Sequence, residues 1–140
     1  MVRCVTAALL LAGAVFADEV AERDKLIGKW QQEDESWALE THGDALHVTH
    51  SVKQKTDEYE CTIMGRDCEV KVAGRPAKVS LWFNGGSLVE METRGKDVVK
   101  RRFHAGGDGD TLLLDVIPIN PEGKTETVTF KRVPVSTARK

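Results

Sequence analysis

The sequence predicts an all-β fold, an antiparallel up-and-down β-barrel of about eight to ten strands with a short N-terminal helix. Three observations predict it. From Trp30 onward apolar residues recur with a period of two, the spacing of strands that bury one face. Turn chemistry interrupts this pattern repeatedly, as at Gly43-Asp44, Met64-Gly65, Gly74-Arg75-Pro76, Gly85-Gly86 and Gly95-Lys96. The 140 residues, 41% hydrophobic and 30% charged, have room for one domain around one core.

The N-terminal segment reads as an address. Met1 to Ala17 holds one cation, Arg3, then the apolar run Val5 to Phe16, and ends in Val15-Phe16-Ala17 before Asp18-Glu19. This is the layout of a Sec-type signal peptide cleaved after Ala17; the run is too short to span a bilayer, which takes roughly 20 residues. The expected division is a signal peptide over 1–17, a barrel domain over 18–133 and a flexible tail over 134–140. The mature chain, without a transmembrane segment, is expected to be periplasmic or secreted. Cleavage removes Cys4 and leaves Cys61 and Cys68, an even pair that an oxidising compartment joins as one disulfide.

Along the mature chain, Asp18 to Ile27 spaces its apolar residues for one or two helical turns that lid one barrel end. A two-residue Gly43-Asp44 turn pairs Leu39 with Val48 and Trp37 with His50 on the apolar face, leaving Glu40 and His47 to solvent. Asp57 to Val72 reads as the next hairpin, with Cys61 opposite Cys68 and Tyr59 opposite Val70, inside disulfide reach. After the strand through Val79, Leu81 and Phe83, a two-residue Gly85-Gly86 turn would place Glu90 and Glu92 on the apolar face. An odd-length loop places Val89, Met91 and Thr93 there instead and is the expected one, because a one-residue slip exchanges the faces. Val98 to His104, Thr111 to Ile117 and Thr125 to Val133 complete the strands.

The order of parts resembles the lipocalin-like, or calycin, group of ligand-binding barrels, in particular small exported bacterial members. The residues that carry the resemblance are Gly28-x-Trp30 opening the first strand, the meander of hairpins, and Arg132 in the last strand, Thr127 to Val133. The resemblance implies that Gly28, Trp30 and Arg132 close the barrel, the indole packing against the guanidinium in a cation-π contact of about 0.5 to 2 kcal/mol. The Arg-x-Tyr pair that grips a carboxylate in fatty-acid-binding barrels is replaced by Val128-Thr129-Phe130, so that site is not implied.

Composition and motifs exclude several functions. The net charge of -2, with scattered basic residues, gives no nucleic-acid footprint. Four histidines and three cysteines form no Cys-x-x-Cys or His-Glu-x-x-His signature, so no metal or cofactor is expected. No serine sits in a Gly-x-Ser-x-Gly elbow, and a noncatalytic protein is expected. Alternation forces a cation inward from Val98 to His104: Arg101 if Val99 and Phe103 face the core, Lys100 and Arg102 if Val98 does. Burial of a charge requires a partner, for which Glu90, Asp115 or a bound anion are candidates. Arg101, His50, Tyr59 and Trp37 are thus the candidate contacts for a small apolar or amphipathic, including anionic, molecule in the interior. The alternative is a filled barrel, packed by Trp37, Phe83, Phe103 and Phe130, that serves as an interaction or inhibitor module for an exported protein partner. An exposed Trp82 would mark that surface.

Overall fold

The computed structural model describes residues 19–134. A short helix over 19–24 precedes ten strands: β1 (Gly28–Gln32), β2 (Glu35–His42), β3 (Ala45–Val52), β4 (Lys55–Thr62), β5 (Cys68–Val72), β6 (Arg75–Asn84), β7 (Ser87–Arg94), β8 (Asp97–Ala105), β9 (Thr111–Asn120) and β10 (Glu126–Arg132). All ladders are antiparallel, in the order β4-β3-β2-β1-β10-β9-β8-β7-β6-β5. The first and last strands are therefore neighbours, and β4 and β5 are the two edges of a nearly closed barrel. The signal-peptide expectation and most of the expected tail fall outside the described residues. No described helix is long and apolar enough to cross a membrane.

The seam between β1 and β10 shows why Gly28 and Arg132 are suited to it. Trp30 and Arg132 are register partners, and the guanidinium carbon lies 4.2 Å from the indole centroid. Trp30 is fully buried and its Nε1 donates to the Leu26 carbonyl at 3.0 Å. Arg132 donates to three carbonyls, those of Lys25, Ile27 and Gly109, at 2.7 to 3.0 Å. Gly28 has φ of 138°, and a Cβ there would lie 2.6 Å from Arg132 Nη1. Glycine thus leaves the space that the guanidinium occupies. The helix docks on the same end, where Arg23 Nε donates to the Gly85 carbonyl at 2.9 Å and its guanidinium covers the Phe83 ring.

Two register expectations are corrected. β6 and β7 meet through the two-residue turn, with Leu81 opposite Glu90 and Val79 opposite Glu92, so both glutamates face inward rather than Val89, Met91 and Thr93. Gly85 takes φ of 61°, and Gly86 approaches Glu22 so closely that a Cβ would meet its side chain at 2.6 Å. The tight turn is what lets the helix sit on this end. β4 and β5 do not form a ladder: Val70 pairs with Ala77 of β6, not with Tyr59. The connecting loop ties to β6 instead, through a Gly65 amide donating to the Leu81 carbonyl at 2.8 Å. The disulfide Cys61–Cys68 forms nonetheless, with Cα atoms 5.8 Å apart, and joins the two barrel edges at the helix end.

Candidate functional site

The interior divides into two halves. At the helix end Leu26, Trp30, Leu39, Leu46, Leu81, Leu88, Phe103, Leu112, Leu114 and Phe130 are buried and in contact, an ordinary close-packed core. Toward the opposite end the inward positions turn polar, because alternation carries Glu35, His50, Asp57, Glu92 and Arg94 to the inner face. A cavity of about 360 Å³ opens there. Its walls include His50, Val52, Lys53, Asp57, Val72, Glu92, Arg94 and Arg101.

Between core and cavity lies a belt of paired polar groups. Val99 and Phe103 face inward, which resolves the open alternation in β8: Arg101 enters the barrel, opposite Glu90. Its Nη1 donates to Glu90 Oε1 at 2.7 Å and to Glu92 Oε1 at 2.8 Å. The Tyr59 hydroxyl donates to the other Glu90 oxygen, and Arg94 Nε lies 2.9 Å from the other Glu92 oxygen. Glu90 is only 2% exposed, so these contacts decide whether its charge is tolerable. Burial opposes the Arg101 charge, but Glu90 and Glu92 outweigh it and hold its pKa above the usual value. Burial raises the Tyr59 pKa well above its ordinary value, and the Glu90 charge adds to this, so the phenol stays a hydrogen-bond donor.

Trp37 and His50, register partners on β2 and β3, stack with centroids 3.8 Å apart. His50 Nε2 lies 2.8 Å from Glu35 Oε2, so this histidine is held by a carboxylate at the cavity wall. Phe103 meets Trp37 edge-on at 5.0 Å, and the Arg101 guanidinium lies 5.6 Å from the indole centroid. Trp37 Nε1 is buried and finds no acceptor among the described residues.

The structure thus brings Arg101, His50, Tyr59 and Trp37 into one belt. Asp115, a sequence candidate for the Arg101 partner, faces outward instead, 3.7 Å from Arg102 and bonded to Thr127. Sequence reasoning missed Glu92 and Glu35. Glu92 is legible in the two-residue turn that strand chemistry favours at Gly85-Gly86, but that register buries two carboxylates and so runs against the apolar pattern.

The turns around the cavity end differ from those at the helix end. Glu33, Lys53, Gln54 and Ala73 take positive φ there, between 51° and 73°, beside the glycines at 74 and 95, whereas the helix-end turns place only glycine in that region, at 43, 65, 85 and 109. Each non-glycine residue held in that region costs on the order of 1 to 2 kcal/mol. Lys53 and Ala73 also line the cavity, which ties the strain to its wall.

Comparison with known proteins bears on the fold. No family model matches the sequence, and no curated protein matches it. Solved structures do. The fatty acid transporter REP1-NXSQ superposes with a TM-score of 0.66 at 16% identity, covering 81% of this chain and 99% of that one. The fold is that of the fatty-acid-binding barrels. A Schistosoma mansoni fatty acid binding protein in complex with arachidonic acid matches equally, again with TM-score 0.66, 16% identity and coverage of 81% and 99%. A secretory abundant heat soluble protein from Ramazzottius varieornatus matches with TM-score 0.66 at 14% identity, covering 78% and 96%. These are calycin barrels, and at such identities the likeness of the fatty-acid-binding fold is one of architecture alone.

Proposed function

We propose that this is an exported, noncatalytic carrier that binds a small amphipathic anion in the half of the barrel away from the helix. The observation that carries the reading is the division of the interior, a packed core below and a cavity of about 360 Å³ above. That volume lies toward the lower end of the roughly 300 to 1,000 Å³ of small-molecule sites. The fatty-acid names of the neighbouring structures support an amphipathic ligand. Arg101 is already engaged by Glu90 and Glu92 and Arg94 by Glu92, so recognition of charge passes to Lys53 and Lys55 at the rim. Val52, Val72 and the ring of His50 offer the apolar contact. Tyr59, Glu90 and Arg101 satisfy one another, which favours a scaffold over a reacting group. Export is supported by the Met1 to Ala17 pattern and by the Cys61–Cys68 disulfide, a bond that persists in oxidising compartments.

Calorimetric titration with a series of carboxylates from hexanoate to palmitate tests the proposal. Affinity should rise with chain length only until the cavity is full, fall with added salt, and drop in a Lys53→Gln, Lys55→Gln variant. Absence of heat for every member, or binding indifferent to those two lysines, would reject it. Trp82, whose exposure would mark a protein partner, is half-buried.

A further inference from the structure

A second group of side chains with its own chemistry lies on the outer wall, remote from the cavity. Glu40, His47 and Glu60 are register partners across β2, β3 and β4, and His42 follows Glu40 by two positions, so all four share the solvent face. His42, His47 and Glu60 each present a donor atom within 4.8 Å of the others. His42 Nδ1 lies 3.0 Å and His47 Nδ1 lies 3.3 Å from the same oxygen, Glu60 Oε1. A tetrahedral zinc ion with bonds near 2.0 to 2.1 Å keeps its nitrogen and oxygen ligands about 3.3 Å apart. The two nitrogen–oxygen distances are therefore close to those of a coordination polyhedron, and the third donor pair lies within 4.8 Å.

The surroundings fit the same purpose. His47 Nε2 lies 2.9 Å from Glu58 Oε2. A carboxylate that accepts from one ring nitrogen fixes the tautomer and turns the lone pair of the other toward a metal. Glu40 stands 4.0 Å from His42 Nε2, so three carboxylates surround two imidazoles and leave an excess of negative charge. The two rings stack with centroids 5.3 Å apart, and both Nδ1 atoms face Glu60 Oε1.

We propose that His42, His47 and Glu60 form a site for a divalent transition-metal ion, with zinc the best match to two imidazoles and a carboxylate, and with Glu58 as a positioning residue. The Glu58 hydrogen bond raises the His47 pKa against a smaller desolvation effect, with Glu60 adding to the rise. The hydrogen bonds from His42 and then His47 lower that of Glu60. Imidazole coordinates a metal only in its neutral form, so zinc affinity falls as pH is lowered. Glu40, His42, Glu58 and Glu60 are the titratable groups facing His47 from β2 and β4.

The test is zinc titration of the untagged, chelator-stripped protein by calorimetry, with cobalt absorption as the spectroscopic readout. One ion per chain is expected, with the intense visible bands of four-coordinate cobalt. His42→Ala and Glu60→Gln should each weaken binding at least tenfold, and Glu58→Gln by roughly 10- to 100-fold with a shifted pH profile. His104→Gln should leave it unchanged. In the unsubstituted protein, zinc should move the imidazole resonances of His42 and His47 and leave that of His104 in place, a readout independent of variant folding. No binding at millimolar zinc, or resonance shifts that spare His42 and His47, overturns the proposal.

Discussion

At the residue scale, the group that decides the interior is Arg101. One guanidinium holds two carboxylates, one of them almost fully buried, and the Tyr59 hydroxyl takes the remaining Glu90 oxygen. Removal of one member leaves its partners charged and dry. Arg101→Met is expected to cost about 3 to 5 kcal/mol in chemical denaturation. Lys100→Met, on the outward face of the same strand, should change stability by less than about 0.5 kcal/mol. Equal effects would mean that Arg101 is hydrated and the belt is not a unit. The same cluster shows where sequence reading reaches its limit. Period-two patterning favours a register that keeps Glu90 and Glu92 off the apolar face, although an inward cation on β8 already makes Glu90 a candidate partner. Only the coincidence of an inward arginine on β8 with inward glutamates on β7, completed by the Tyr59 hydroxyl from β4, makes their burial tolerable, and that cluster draws on three strands. The inward cation itself was legible, since every register of Val98 to His104 required one.

At the element scale, legibility followed the turn residues. The hairpin through Gly43-Asp44 was readable because glycine and aspartate mark a two-residue turn, and its register, Trp37 to His50 and Leu39 to Val48, is the expected one. The turn at Lys53-Gln54 carries no such mark, since both residues adopt positive φ without being glycine or asparagine. The β4–β5 hairpin failed for a different reason. Two cysteines at cross-strand spacing suit a ladder, but here the sheet stops between these strands and the sulfur bridge spans the break. Because the loop closed by the bridge is short, Cys61→Ser with Cys68→Ser should cost about 2 to 3 kcal/mol in urea denaturation. Amide exchange should quicken first in β4 and β5, which have one neighbour each. Uniform loss of protection over all ten strands would show that the gap is not the weak point.

At the scale of the whole molecule, Trp30 and Arg132 close one end, the helix covers it, and packed apolar residues fill the half beneath. The barrel and its closure were visible in the sequence as a period-two pattern framed by Gly28-x-Trp30 and Arg132. The division of the interior was not, because the large residues Trp37, Phe83, Phe103 and Phe130 suggest filling throughout. Their strand positions place Phe83, Phe103 and Phe130 toward the helix end, whereas Trp37 stands where the core meets the cavity, stacked on a cavity-wall histidine. The three tryptophans therefore report on three places: Trp30 in the closed end, Trp37 at the boundary, and Trp82 on the outward face of β6. The most direct measurement is a proton–nitrogen correlation spectrum of the indole N–H groups during titration with a medium-chain carboxylate such as decanoate. A saturable shift of the Trp37 signal, with those of Trp30 and Trp82 fixed, is the predicted result; a stationary Trp37, or movement confined to Trp82, would contradict binding within the barrel.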